Sequence, residues 1–530
     1  YISRMVRRLY FAFALIAPIV IVGLSFRFPD AWWAFLVVGP LIALGVHDVL
    51  QTKHSLLRVF PIIGHGRHLM EELRPEIQQY FVESNVDGMP FSREMRSAVY
   101  QRAKGEIDTL PFGTQRDVDR DGYEWMSHSM APKPVLETDP RVEIGGATCK
   151  LAYRAAHLNV SAMSFGSLSS NAILALNAGA KTGGFYHNTG EGGLSPYHLK
   201  PGGDLVWQIG TGYFGCRGRD GGFDPNLFAE ASRHDAVRMI EIKISQGAKP
   251  AHGGILPAEK LSREIAEIRG VPMGQDVISP PAHRMFSTPH GLVEFIARLR
   301  ELSGGKPVGF KLCVGHKSEF LGICKAMVAT GIHPDFITVD GTEGGTGAAP
   351  VELSNSVGMP LRQGLWFVNN ALRGVGFRDR VRVVAAGKIV TGFHLFRAVA
   401  LGADLCNSAR PMMFALGCIQ ARRCNTNTCP VGVATQNPAQ TVGLVPADKA
   451  PRVARYQAAT VKAFLEMVAA AGLEDPRDIR PFHVDQRVAG PDVQSFAQLY
   501  PWMPDGFLMG ESVIPKGWRR SWAAANVDHF

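Results

Sequence analysis

The chain has 530 residues, 46% of them apolar and 19% charged, with a formal net charge of +9. Such a chain can bury a large core with appendages, which excludes a disordered, solvated polymer. Its basic residues are scattered without interleaved aromatics, so nucleic-acid binding is not expected, and eight cysteines are too few for a disulfide scaffold.

The first fifty residues read as a membrane hairpin. Residues 9–26 and 31–46 are uncharged stretches separated by Arg27-Phe28-Pro29-Asp30, each near the short end of a bilayer span. Arg4, Arg7 and Arg8 precede the pair, while Lys53 and Arg58 follow it. The positive-inside rule then puts both ends, and everything downstream, on the cytoplasmic side of an inner membrane. A buried soluble hairpin and a signal peptide are the alternatives, although no small-residue cleavage site is evident. Residues 51–140 read as a connecting lobe, broken at Pro75, Pro90 and Pro111, with helical stretches over Glu71–Phe81 and Ser92–Lys104.

Residues 141–450 alternate strand-like and helix-like segments. The strand-like runs are Asn159–Met163, Met239–Ile244, Val308–Leu312, Phe336–Asp340, Val381–Ala386 and Ala403–Cys406. Helical segments fall at Ser169–Lys181, Glu259–Ile268, Gly291–Leu302 and Phe393–Ala400. That alternation predicts an α/β protein with a parallel sheet, either a closed (β/α)8 barrel of TIM type or a doubly wound open sheet. Glycine, lysine and glutamine cluster just after the strand-like runs, the edge on which a barrel carries its active site, and this favours the barrel. Residues 451–530 read as a helical extension, with helices at Val453–Ala471 and Pro491–Tyr500 and an irregular tail, Pro501–Phe530.

Three groups of residues suggest chemistry. Cys418, Cys424 and Cys429 have five and then four residues between them and end in Cys-Pro, a pattern suited to an iron–sulfur cluster short of one iron; zinc or plain buried thiols are the alternatives. The run Asp340–Pro350 holds Gly341, Gly344, Gly345 and Gly347 after a strand, where backbone N–H groups can approach a phosphate or a flavin ring, or serve structure alone. Lys243 and Lys249 flank a Ser-Gln-Gly-Ala turn, and Lys311 lies inside an apolar run; a buried lysine is costly unless it meets an anion or a polarised carbonyl, whereas at a strand end it can snorkel.

Taken in order, Met163–Ser169, Asn188–Gly193, Lys243–Pro250, Ser279-Pro280-Pro281, Asp340–Pro350 and Gly417–Gln436 resemble the FMN-binding synthase domain of glutamate synthases, in particular membrane-anchored bacterial forms that consist of little else. The resemblance implies a TIM-type barrel carrying FMN and a [3Fe–4S] cluster on Cys418, Cys424 and Cys429. Electrons would pass from an external donor, ferredoxin-like or a reductase subunit, through the cluster to FMN. The flavin would then reduce the imine formed from 2-oxoglutarate and ammonia. By motif, Ala162, Met163 and Ser164 would lie along the flavin, with Gln208 and Lys311 at its polar edge. Gly345, Gly387, Ala409 and Arg410 would lie towards its phosphate, and Gly344 and Thr346 would also bind the cofactor. Lys249, Ser287 and Glu191 would bind the oxoacid, and Lys249, Lys311 and Glu191 would be the catalytic groups.

Two departures modify that expectation. Tyr1 leads into apolar helices rather than into the glutaminase that opens full-length family members, so ammonia is expected to come free or from a separate glutaminase chain. Ile255 stands where the family has a glutamine that touches the oxoacid, which leaves room for a related 2-oxoacid or for chemistry like that of N-methylglutamate synthases. An electron-transfer or structural subunit of a membrane complex is the reading from a different class.

Overall fold

The computed structural model describes residues 2–147, 149–510 and 514–530, with side chains from Met5 onward, so the Arg4 side chain lies outside the described residues. The chain divides into two compact units, one ending at Arg93 and the other starting at Glu94.

In the first unit, helices Ile2–Ser25 and Phe35–Leu50 are joined through a 3-10 turn at Pro29–Ala34. Met5–Ser25 and Pro29–Leu50 are each long and apolar enough to cross a membrane. The Tyr10 hydroxyl donates to the Ile42 carbonyl at 2.8 Å and staples the two helices together. Beyond them lies helix Gly64–Ile77, ending in a π turn at Gln78–Val82, where the sequence suggested Glu71–Phe81.

The second unit is built on a closed barrel of eight parallel strands. In chain order they are Leu158–Val160, His187–Asn188, Leu205–Ile209, Val237–Lys243, Val308–Leu312, Phe336–Asp340, Arg382–Ala386 and Leu405–Ser408. The eighth strand closes on the first in the register Cys406↔Leu158 and Ser408↔Val160. Each of the six strand-like runs overlaps a barrel strand; the second and third strands were not expected.

The helices between them start and stop where their caps require. Ser169 accepts from Ala172 N at the head of Ser170–Gly183, and Thr288 accepts from Gly291 N at the head of Pro289–Leu302. An antiparallel hairpin, Val142–Ile144 with Tyr153–Ala155, covers the floor of the barrel. There Ile144 and Ala155 join Tyr186, Val206, Met239, Phe336, Val384 and Leu405 in one buried cluster. The long helix Pro446–Ala470 packs across Ser170–Gly183, and its Gln457 side chain donates to the first strand at Leu158 O.

Three expectations are corrected. Glu259–Ile268 is not one helix but a 3-10 turn, Ala258–Lys260, followed by helix Arg263–Arg269, because Ser262 intervenes as an N-cap. Pro491–Tyr500 is not a helix: Gly490-Pro491 makes a hairpin turn, so Asp492–Ser495 pairs with Val484–Ala489, and only Phe496–Leu499 is helical. The tail is not wholly irregular, since Lys516–Ala524 is a helix whose Trp518 is buried and stacks on Phe367 at 5.1 Å.

Candidate active site

The residues singled out in the sequence gather mostly at one end of the barrel, because a parallel barrel presents the C-terminal ends of all its strands on the same face. Beneath that mouth lies a buried polar layer centred on Glu241 in the fourth strand. Its Oε2 accepts from Asn188 Nδ2 at 2.8 Å and from Gln208 Nε2 at 2.6 Å, and its Oε1 accepts from Thr338 Oγ1 at 2.6 Å. Four strands thus converge on one carboxylate. Lys311 in the fifth strand sits 3.2 Å from Asp340 Oδ2 at the end of the sixth. Burial works against the Lys311 ammonium, but Asp340 and Glu241 outweigh it and hold its pKa above the ordinary lysine value.

Asp340 also fixes the turn that leads to Lys249, accepting from Gly247 N at 3.0 Å. A Cβ on residue 247 would lie 1.6 Å from the Gly341 carbonyl oxygen, so the fourth and sixth strand ends can approach this closely only with glycine there. Gly247→Ala is therefore expected to prise these ends apart and to lower the melting temperature of the barrel, at a cost of about 3 kcal/mol. An unchanged melting temperature would mean that the two loops are free to move apart.

Above the polar layer a cleft is lined by Ser164, Glu191, Lys249, Ile255, Arg269 and Thr346, together with Lys260 and Cys424 at one side. Glu191 Oε1 accepts from Lys243 Nζ at 2.6 Å. Burial would raise the Glu191 carboxyl, but Lys243, Lys249 and Arg269 around it hold it below the usual carboxylate range. Burial pulls Lys249 down to about 8; Glu191 opposes the shift and Lys243 adds to it. Arg269, also buried, donates to Phe165 O at 3.2 Å and lies over the Phe214 ring at 5.1 Å. Three cations facing one carboxylate leave an excess of positive charge around Glu191, to which Lys260 at the side of the cleft adds.

The glycine loop and the eighth-strand turn meet through Arg410, which donates to Glu343 O at 2.5 Å. A Cβ on residue 345 would lie 2.7 Å from Arg410 Nε, so Gly345 keeps the guanidinium side of this turn open. Gly387 follows the seventh strand and lies beside Glu343, and Ala409 is the cap of helix Arg410–Leu416. Met163 is buried next to Ala162, its N–H donating to Asn188 O, with Ser164 lining the cleft. Gly344 stands against Asp340, where a Cβ would meet Oδ1 at 2.8 Å. Ser287, exposed and immediately before the N-cap Thr288, does not line the cleft.

The cysteine loop is clamped onto the cleft wall. Asn427, between Cys424 and Cys429, donates to Glu259 O at 3.0 Å, and the next residue, Lys260, donates to Ser167 O at 3.0 Å. Gln436 donates to both Gly166 O and Leu168 O. Burial pushes the Cys418 thiol up to about 12, and Cys424 and Cys429 act on it in the same direction, so the three sulfurs lie within electrostatic range of one another. Among the described residues no three His, Cys, Asp or Glu side chains converge as the ligands of a single metal ion.

Arg269 and the roles of Glu241 and Asp340 were missed in the sequence. Arg269 closes a helix before Gly270, where a basic residue is ordinary, so nothing marked it out. Glu241 sits in an apolar strand, and a carboxylate there is itself a signal of a buried partner that was available to be read.

Fold and site together define a parallel (β/α)8 barrel with a cation-rich cleft at its mouth. Residues 133–474 match the family described as the conserved region in glutamate synthase. The chain belongs to this family and is an enzyme of the oxidoreductase class. It is 38% identical over 483 residues to the glutamate synthase large subunit-like protein YerD of Bacillus subtilis (strain 168), covering 83% of this chain and 91% of that relative. It is 36% identical over 323 residues to the archaeal glutamate synthase (NADPH) of Methanocaldococcus jannaschii, covering 61% of this chain and 60% of that relative. The chain thus spans well under two thirds of the archaeal protein's length. Among solved structures, mandelate oxidase with (S)-2-phenylpropionate superposes at a TM-score of 0.42 and 16% identity, covering 76% of this chain and 98% of that one.

Proposed function

We propose that this chain reductively aminates a dianionic 2-oxoacid of the 2-oxoglutarate type, using ammonia and externally supplied electrons. The observation that carries this reading is the charge of the cleft: Lys243, Lys249 and Arg269 around Glu191, with Lys260 on the cleft wall, leave an excess of positive charge, which suits a substrate with two carboxylates. Lys249 and Arg269 would hold the carboxylates, and Glu191, paired to Lys243, would keep both cations in place. With its pKa pulled towards neutrality, Lys249 Nζ can also donate to the 2-oxo oxygen as negative charge builds there.

The residues at the mouth fit FMN. Lys311 and Gln208 supply a cation and an amide for the polar edge of the ring, and the Gly344–Thr346 turn with Gly387, Ala409 and Arg410 supplies an open cationic turn for its phosphate. Cys418, Cys424 and Cys429 fit a [3Fe–4S] cluster: one buried and two half-buried thiols in electrostatic range of one another, with Cys424 and Cys429 also in range of Lys260, on a loop that shares a wall with the cleft. When bound, the cluster supplies single electrons and the flavin a hydride. Ala162, Met163 and Ser164 would exclude water along one side of the ring. Cys424→Ser should abolish the low-temperature EPR signal of the cluster while bound flavin stays near the wild-type level; retention of the signal would refute these ligands.

The apolar hairpin is proposed as an inner-membrane anchor that holds the barrel on the cytoplasmic side, with ammonia delivered free or by a separate glutaminase chain and electrons by a ferredoxin-like protein or reductase subunit. One observation favours a second substrate. Ile255 lines the cleft where it cannot hydrogen-bond a carboxylate, which suits a less polar 2-oxoacid or an N-alkyl imine. Ile255→Gln should lower the KM for 2-oxoglutarate about tenfold, as one hydrogen bond to a charged group predicts; an unchanged KM would remove Ile255 as a specificity determinant.

The deciding experiment is anaerobic. Protein reduced chemically is mixed with 2-oxoglutarate and ammonium, then with glutamine, while flavin absorbance is followed. Rapid reoxidation with ammonium, yielding glutamate, is the expected result. A flavin that is reduced but ignores both mixtures would overturn the substrate assignment.

A further inference from the structure

The helix that follows the hairpin leaves an apolar edge open. Over Gly64–Ile77, residues Leu69, Met70, Leu73 and Ile77 are exposed by 52%, 55%, 41% and 41%, and in the π turn beyond them Phe81 is 85% exposed. At 100° per residue these four helix positions fall within about one third of the circumference. Arg67, Glu71 and Arg74 fall on the other side, where both arginines lie 3.9 Å from Glu71. A contiguous strip of this kind is unfavourable in water and marks a surface that is covered by something.

What lies next to this helix is the end of the second apolar span. Asp48, near the close of Pro29–Leu50, is fully buried; its Oδ2 accepts from Ile62 N at 2.9 Å, and its Oδ1 lies 2.9 Å from His65 Nε2 in the helix's first turn. Gln51 Nε2 closes the same corner by donating to Asp48 O and His54 O. The start of helix Gly64–Ile77 is thus pinned to the span at its boundary, which holds the apolar strip beside the surface where that span ends.

We propose that helix Gly64–Ile77 lies in the surface of the bilayer that the hairpin crosses, with Leu69, Met70, Leu73 and Ile77 sunk into the acyl boundary. This rests on the membrane reading of the hairpin. The occupant is the lipid surface itself and not anionic headgroups, because Arg67 and Arg74 are outnumbered by Glu71, Glu72 and Glu76 and apolar burial must drive the contact. The hairpin and this helix then form a two-part anchor, one part crossing the bilayer and one lying on it, which limits rotation about the hairpin.

The test uses the full chain in vesicles of neutral phosphatidylcholine, with the photo-crosslinking residue p-benzoylphenylalanine in place of Leu73 or, for comparison, Glu71. The expected result is a phospholipid adduct at 73 and none at 71, unchanged between low and high salt. A comparison of Met70 with Glu72 repeats the measurement if either first variant is poorly produced. Adducts to protein at 73 would overturn the proposal in favour of a protein partner or a second copy, and lipid adducts at both positions would overturn the surface orientation. No adduct at 73, from protein that resists alkaline carbonate extraction, would overturn the surface helix and leave the spanning hairpin intact. Release of the protein by carbonate would overturn the hairpin reading, and this proposal with it.

Discussion

Lys249→Met is expected to lower kcat/KM for the oxoacid by about two to three orders of magnitude, as removal of one oriented cation from a water-poor site does. Bound flavin should be unaffected, because Lys249 lies in the substrate cleft and not in the Glu241 layer. The wild-type pH profile should carry the same signature. Burial lowers Lys249 to about 8, so in the free enzyme the cation that receives the substrate is lost as pH rises through that value, and kcat/KM should fall above it. For stability the sign is opposite. Between about 8 and the ordinary lysine value of 10.5 the unfolded chain holds a proton that the substrate-free native protein has released, so this group's contribution to unfolding free energy rises with pH across that window. A kcat/KM that stays flat to pH 10 would remove Lys249 from the substrate contact, as would a Lys249→Met enzyme with wild-type KM.

Glu241→Ala is expected to cost about 3–5 kcal/mol and to lower the melting temperature of the barrel steeply, since it strips a buried cation of one of its anions and leaves three donors unsatisfied. Asn188, Gln208 and Thr338 all lose their acceptor at once, and Lys311 loses one of the two carboxylates that keep it charged. Glu241→Gln keeps the shape but sets an amide N–H against donors, so it should fall between wild type and alanine. Flavin retention separates a local from a global effect: if Glu241→Ala melts like wild type yet loses its flavin, the layer serves the cofactor and not the fold.

Much of the barrel was legible because its strands are buried runs that end in glycine or in polar and charged residues. Val308–Leu312 and Phe336–Asp340 can be read directly, as each is bounded by polar turns. The second strand could not be seen, since His187–Asn188 is two polar residues with no apolar run to detect. The third could have been: Leu205–Ile209 is an apolar run set off by Gly202, Gly203 and Asp204, obscured only by the polar Gln208, which donates to Glu241.

The cleft shows the same division. Lys249, Glu191, Ser164 and Thr346 fall in local motifs and do meet in space, whereas Arg269 reaches the cleft from a helix end twenty residues beyond Lys249, a distance no motif encodes. Ser287 belongs to the opposite case, a motif position that the chain path carries to the surface.

The pairing that closes the barrel has a consequence for synthesis on the ribosome. Val160 waits for Ser408, so the first strand has only one neighbour until 248 more residues have been made. At about 5–20 residues per second this takes roughly 10–50 s, during which a half-built sheet is exposed. The apolar hairpin is translated before any of it. If the hairpin enters the bilayer as it emerges, each nascent barrel is already held apart from its neighbours on separate anchors, and the open edges of the growing sheet are kept from pairing with one another.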